Sequence, residues 1–445
     1  AIDQINTLQK AGLNDPNLTI SLMLDEQALN GTHIRFNAEQ ASQAPLEVSS
    51  AGILRIPELG LAVQRFPADA SLPALAASCD TTPHSPVWQA LQRAAQTQLH
   101  DEGWQLTWAK AAPIRYKPAS RCVIRYHLQL EHSQFAQLKQ KTLMIFGKVY
   151  ADPEKAGRVQ SLQQQLYEEQ IKAGDLPLLP RPLGILASLG LTFNEAIQPT
   201  IDHLTDEKWH ILRTGTKALQ PQLVCEYGGR ITKIVIPDEE LYLAGQALAS
   251  LHCSSVRSPD APRTGAKEAK QARVRAALIA AHNPAQADQV QALAHQLASQ
   301  LETLHPDSYL PAHGGFKPSQ LLFHSHRVFL VDFDGFCLAD PALDVGYFLA
   351  YLRPSGLWYH KQGMREWFDG AATVFLTGYR ETMRMRGMTN KIIASILERS
   401  RLYEGALLLK IAARRVNRLN SPRLQELSAI LDEIKACLTL ERERK

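Results

Sequence analysis

The stretch His313–Tyr347, HGGFKPSQLLFHSHRVFLVDFDGFCLADPALDVGY, decides how this chain is read. It reads as a short loop, a hydrophobic strand, an Asp-bearing turn and the start of a helix. A His313-Gly314 pair is followed, seven residues after the His, by the side-chain amide of Gln320. Twelve residues further on, Asp332 ends the apolar run Val328-Phe329-Leu330-Val331. A carboxylate at the end of a buried strand suits a Mg²⁺ ligand, because Mg²⁺ takes one or two carboxylates together with phosphate oxygens. Asp334, two residues on, shares that strand side and is a secondary candidate. Asp340 followed by Pro341 has the composition of a helix N-terminus, so Asp340 and Asp344 are read as structural.

A loop amide followed by a strand-end Asp is the layout of a kinase catalytic loop and its metal-binding Asp. The stretch closely resembles the aminoglycoside phosphotransferase and choline kinase-like family, whose signature is HGDxxxxN, a strand ending in I/V-D-F/W, and GDPxxDLA. The last part is nearly complete as Ala339-Asp340-Pro341-Ala342-Leu343-Asp344-Val345-Gly346. The first part departs: Gly315 stands where the family carries its catalytic Asp, and Gln320 where it carries Asn. The resemblance spans about 100 to 440. It implies an α+β, protein-kinase-like bilobal fold, with a small antiparallel sheet plus helix as N-lobe and a mainly helical C-lobe. It also implies ATP and Mg²⁺ as cofactors and a small hydroxyl-bearing acceptor.

Outward from that stretch, the composition sets bounds. At 445 residues the chain suffices for two or three lobes with cores of their own. Hydrophobic residues at 45% and charged ones at 21% are ordinary for a globular protein. A net charge of +4 gives no ground for a nucleic-acid or membrane partner. The six cysteines are scattered, with no CxxC pair, which fits a reduced cytoplasm better than a disulfide framework or a zinc site. No apolar run reaches the roughly 18 residues of a membrane span, and the start AIDQINTLQKAG lacks a signal-peptide layout. The expected location is cytoplasmic. Nothing indicates an oligomeric state.

Three segments are expected. Residues 1–85 carry short strand-like runs at 18–24, 53–56 and 61–66, with a linker at 80–86, and have no assigned role. Residues 86–198 read as the small lobe: a helix over 87–99, then strands at 104–116, 122–130 and 142–150. A long helix capped by Asp152 with Pro153 at its first position follows, with Leu162, Leu166 and Ile171 as its apolar stripe. Strands at 183–187 and 191–197 complete the lobe. Residues 199–445 read as mainly helical, with helices from Pro237-Asp238 to about His252, over 267–282 and 285–304, and several between Ala342 and Leu438.

The other site candidates follow from what phosphoryl transfer needs. Lys148 lies between apolar neighbours near the end of the third small-lobe strand, where its charge needs a partner such as phosphate. The helix after it should bring a Glu to that Lys. Glu154, Glu168 and Glu169 are the acidic choices, and none sits well. The turn Arg115-Tyr116-Lys117-Pro118-Ala119-Ser120-Arg121 has no glycine. A cover over phosphates would therefore use the side chains of Arg115, Lys117 and Arg121, with Arg125 on the strand, rather than backbone N–H groups. By the resemblance, adenine would lie at the hinge Glu195-Ala196, Asp332 and Gln320 would hold the metal, and His313 would support the loop. Gly315 cannot accept a proton. Of nearby groups, Lys317 suits phosphate better than proton abstraction, and His324 and His326 should be carried off along a strand.

Three readings stay open on this evidence: a phosphotransferase with a modified site, a pseudokinase scaffold whose helical lobe engages a protein partner, and an enzyme transferring a nucleotidyl group.

Overall fold

The structure, a computed structural model, describes residues 66–132, 139–175, 178–197, 213–225, 231–417 and 422–439. It also gives the backbone of four upstream strands, β1 (Ser21–Met23), β2 (Thr32–Phe36), β3 (Ile53–Ile56) and β4 (Leu61–Arg65). These form an antiparallel sheet in the order β1-β2-β4-β3. The ends of the expected first strand, 18–20 and 24, lie outside the described residues, as do 198–212. The described chain is α+β and divides into two compact units. One comprises Ala1–Ser161 with Arg181–Ala196, and the other Leu162–Pro180 with Ile197–Lys445.

In the first unit, a short helix α1 (Ala74–Ser78) and α2 (Pro86–Leu99) precede three long strands. Ser85 caps α2 by accepting the N–H of Trp88 at 3.1 Å. Strands β5 (Trp104–Lys117), β6 (Arg121–His132) and β7 (Lys139–Tyr150) lead into α3 (Pro153–Lys172), and β8 (Pro182–Leu186) and β9 (Leu191–Glu195) follow. The five strands form one antiparallel sheet in the order β5-β6-β7-β9-β8. Every second residue of β6 is buried, at Cys122, Ile124, Tyr126, Leu128 and Leu130. That period of two turns one face of the sheet toward the core. Leu72 and Leu75, upstream of the expected boundary at 85, belong to the same core as Val87, Leu91 and Tyr126. The Tyr126 hydroxyl donates to the Ser78 carbonyl at 2.6 Å. In α3, Leu166 is buried as expected, but Ile171 is 52% exposed. The inward stripe instead runs through Ala156, Val159 and Gln163, because Ile171 follows Leu166 by five residues, about 140° round the helix from it.

The second unit is not purely helical at its start. It opens with β10 (Arg213–Thr214), α4 (Gly215–Ala218) and the hairpin β11 (Gln222–Cys225)–β12 (Ile231–Val235). Then come α5 (Asp238–His252), α6 (Gly265–His282) and α7 (Ala287–Glu302). Two small sheets carry the decisive stretch. Strand β13 (Leu310–Ala312) pairs with β16 (Cys337–Ala339), and between them β14 (Leu321–His324) pairs with β15 (Arg327–Leu330). Five helices end the chain: α8 (Ala342–Leu352), α9 (Ser355–Trp358), α10 (Met364–Met385), α11 (Asn390–Val416) and α12 (Leu427–Leu438). Of α8, every residue but Tyr351 is buried. Arg399 on α11 grips Asp340 with two nitrogens, at 2.8 and 3.1 Å, while Asp340 also accepts the N–H of Ala342 at the start of α8. No helix among the described residues is long and apolar enough to cross a membrane.

Candidate functional site

The loop after β13 is held by one buried carboxylate. Asp344 accepts the backbone N–H of His313 at 2.6 Å, of Gly314 at 3.3 Å and of Phe316 at 3.3 Å. His252 Nε2 lies 3.6 Å from the same carboxylate. Burial pushes the Asp344 carboxyl upward, but His252, His313 and the Phe316 N–H outweigh it and hold the group below the usual carboxylate range. Gly314 has φ +72°, and a Cβ there would stand 1.9 Å from the Gly335 carbonyl oxygen. Only glycine fits. At Gly315, by contrast, a Cβ would meet nothing within 4 Å.

The far end of the loop is tied to the Asp-bearing strand through Val331. Its N–H donates to the Gln320 carbonyl at 3.0 Å, and its carbonyl lies 3.1 Å from His313 Nε2. The hydrogen bond requires the His313 proton on Nε2. His313 is fully buried, and burial lowers its pKa against the opposing pull of Asp344 and Asp332, so the ring acts as a neutral brace. Asp332, the next residue, adopts a left-handed backbone with φ 70° and ψ 53°. That region is costly for most non-glycine residues, and the two bonds on Val331 fix the chain immediately before it. Gln320 is buried, and its Oε1 has no hydrogen-bond partner among the described residues. A buried amide oxygen left without a donor is a fit for a cation. No cluster of three or more His, Cys, Asp or Glu suited to a metal occurs among the described residues; the donor set here is one carboxylate and one amide. The β14–β15 turn, Ser325-His326, has both residues at positive φ, as a two-residue hairpin of this kind demands. It carries His326 to Glu239, 2.7 Å away.

In the first unit, register places the predicted phosphate ligands together. Arg115 opposes Val123, which opposes Lys148; Lys117 opposes Arg121; Arg125 opposes Phe146. Directly opposed residues project to one side of a sheet, so Arg115, Lys117, Arg121, Arg125 and Lys148 share the face away from the core. Lys148 is half-buried, its Nζ 5.1 Å from the Tyr150 ring centroid. On the same face the Arg125 Nε and the Asn194 Oδ1 are buried without a hydrogen-bond partner among the described residues. The turn tip is committed elsewhere: the Asp69 carboxylate accepts the N–H of Ala119 at 2.8 Å and the hydroxyl of Tyr116 at 2.6 Å. Backbone at that tip is therefore occupied, and the cations supply what the turn can offer an anion. Glu195 opposes Ile145 and so belongs to the opposite, core-side face, and its N–H donates to the Arg181 carbonyl at 2.9 Å. Ala196 is buried.

The three acidic candidates on α3 have other commitments. Glu154 pairs with Arg158, Glu168 accepts from Gln164 at 2.8 Å, and Glu169 accepts from the Ser254 hydroxyl and from the Ser255 N–H at 2.6 Å.

Sequence reading missed the supports that arrive from afar. Arg263, in the polar connection before α6, donates to the Gly314 carbonyl at 2.7 Å, to Glu268 and to the Tyr347 hydroxyl at 2.8 Å. Tyr347 in turn donates to Glu268 at 3.0 Å. Nothing in the run Ser258-Pro259-Asp260-Ala261-Pro262-Arg263 marks one arginine as a loop support.

Residues 215–383 match the phosphotransferase enzyme family. Among solved structures, the chain is similar to a choline/ethanolamine kinase family protein from Mesorhizobium loti, at 15% identity and a TM-score of 0.43, over 71% of this chain and 87% of that one. It is similar to a glucosamine kinase in complex with glucosamine, ADP and inorganic phosphate, at 14% and 0.46, over 80% and 86%. It is also similar to the choline kinase LicA from Streptococcus pneumoniae, at 11% and 0.40, over 79% and 98%. No curated protein matches it in sequence.

Proposed function

With the phosphotransferase-family match of residues 215–383 as premise, we propose that this protein transfers the γ-phosphoryl group of ATP, with Mg²⁺, to a hydroxyl of a small molecule. The observation that carries the reading is the bond between the Val331 N–H and the Gln320 carbonyl. It joins the backbone of Gln320, whose amide oxygen has no partner among the described residues, to that of Val331, the neighbour of Asp332, at the end of a braced loop. Gln320 and Asp332 would hold Mg²⁺, which when bound neutralises phosphate charge and orients the transferring group. Arg115, Lys117, Arg121 and Lys148 would take phosphate oxygens by side chain, with Arg125 beside them. The hinge segment at Glu195-Ala196 would meet the base.

Gly315 supports a second reading, a nucleotide-binding scaffold without turnover, since no side chain stands at the position of the expected base. General-base catalysis is worth about 10²–10⁴-fold, so a site lacking it can still transfer through a loose transition state.

The test is thermal stability of the full chain with ATP, with and without Mg²⁺, followed by product analysis. Nucleotide at 100 times its Kd should add about 2.7 kcal/mol. Absence of any shift, with Asp332→Ala behaving as the parent, would remove both readings. A shift with no phosphorylated product across an acceptor panel would leave the scaffold.

A further inference from the structure

A cleft of about 560 Å³ in the second unit opens directly beside the loop residues Lys317, Pro318 and Ser319. Tyr351, Lys361 and Arg414 line it as well. Its charged lining among the described residues is entirely cationic: Lys317, Arg353, Lys361 and Arg414, with no Asp or Glu. Arg353 is neutralised from beneath, being buried against Glu404 and Glu433. Lys361 and Arg414 are exposed where they line the cleft. Arg414 donates to the Tyr351 hydroxyl at 3.1 Å, and the Lys317 Nζ lies 5.7 Å from the Tyr351 ring centroid. Hydroxyls of Thr216, Ser319 and Ser355 complete a lining rich in donors.

The positive character continues one turn along the helices that carry Tyr351 and Arg414. Lys410 precedes Arg414 by one turn on α11, and its Nζ stands 5.7 Å from the ring of Tyr347, one turn before Tyr351 on α8. Arg263 approaches the same ring at 5.5 Å while holding the Gly314 carbonyl. Burial, then the charges of Arg414, Arg275 and Arg263, push the Lys410 ammonium down to about 8 against the opposing pull of Glu268. Of the charged groups that act on Lys410, three are cations and one is a carboxylate.

Building on the phosphotransferase reading, we infer that this cleft receives the acceptor and that the acceptor carries an anionic group, a phosphate or a carboxylate, bound by Lys317, Lys361 and Arg414. An ammonium-bearing acceptor would need carboxylates where this lining has cations. An oxyanion would find ammonium and guanidinium donors, the latter able to bind it with two parallel hydrogen bonds.

The test is calorimetric titration of the nucleotide-free full chain with four hydroxyl-rich ligands that differ in charge: glucose, glucosamine, glucuronate and glucose 6-phosphate. We expect glucose 6-phosphate or glucuronate to bind at least about tenfold more tightly than the neutral and cationic sugars, and that margin to shrink with added salt; which of the two prevails separates phosphate from carboxylate. Lys361 and Arg414 are both exposed, so the double variant Lys361→Gln/Arg414→Gln should fold and lose the preference. Equal or tighter binding of glucose or glucosamine would overturn the inference, as would an anion preference that survives the double variant. Loss of that preference in Lys148→Ala would move the anion to the sheet face and overturn it as well. Because no nucleotide is present, anion binding without phosphorylated product would count against the phosphotransferase reading alone and leave this site standing.

Discussion

The Asp344 carboxylate accepts the backbone N–H of His313 at 2.6 Å, reaching from the first turn of α8 to the start of a loop 31 residues earlier. The same group takes two further loop N–H donors, at Gly314 and Phe316. One carboxylate thus sets the path of the loop through residue 316. Replacement by Asn keeps the shape but leaves one oxygen and no charge for these donors and for His252. We expect Asp344→Asn to cost about 3 kcal/mol of unfolding free energy. The Asp344 carboxyl is held below its usual range, so its contribution is complete above the unfolded value of about 4 and is lost as pH falls through the lower folded value. The melting-temperature gap between parent and variant should be full at pH 7 and close as pH drops below about 4.

The two adjacent glycines should respond oppositely. Gly314→Ala meets the Gly335 carbonyl and a positive φ together, and a loss of about 2 kcal/mol or more is expected, seen as a lowered midpoint in urea. Gly315→Asp enters open space and should change stability by less than about 1 kcal/mol. If only the base is missing, its turnover should rise by as much as about 10²-fold. Unchanged turnover in a stable Gly315→Asp protein would count against an otherwise intact site.

Asp332 and Gln320 should be separable by metal. Asp332→Ala is expected to abolish the Mg²⁺-dependent part of the ATP-induced thermal shift. Gln320→Leu, which fills the same buried space without an oxygen to satisfy, should keep or slightly raise stability without ligand and weaken Mg²⁺ dependence about tenfold. Retention of full Mg²⁺ response in both variants would place the metal elsewhere.

Asp69 should matter to the hairpin it pins. Asp69→Ala leaves the Ala119 N–H and the Tyr116 hydroxyl without their acceptor, at a cost of about 2 kcal/mol. Hydrogen exchange should show faster exchange at Ala119 and Ser120, while α8 and α11 keep their protection. Uniform loss of protection across the chain would argue against a local role.

Lys410 gives a prediction of the opposite sign. Its folded value of about 8 lies below the ordinary lysine range, so the folded state binds fewer protons than the unfolded chain between about 8 and 10.5. Below about pH 8 the charged ammonium opposes folding. Lys410→Met should raise the melting temperature at pH 7 by about 2 °C, and the advantage should fade as pH approaches about 10. A gain that persists unchanged at pH 10 would trace it to packing instead.

Much of the architecture was legible because local physics writes it locally. The period-two burial of β6, the Asp152-Pro153 start of α3 and the Pro237-Asp238 start of α5 are each decided within a few residues. The same holds for the order of loop, strand and Asp over 313–332. Where a local cue was extended too far it failed: Ile171, five residues after Leu166, is exposed, and 213–214, 222–225 and 231–235 form strands inside a region read as mainly helical.

The sequence by itself determined most of the element order and the antiparallel sheet with its helix, and it singled out Asp332, Gln320 and Gly315 as candidate positions. Only the tertiary structure decided what surrounds them. Arg263, Asp69, His252 and the cationic lining of Lys361 and Arg414 reach their places through contacts between elements far apart in the chain. Hydrogen bonds and fields act through space, and one sequence records only which side chains exist. Where folding brings those side chains near one another is set by the packing of whole helices and strands.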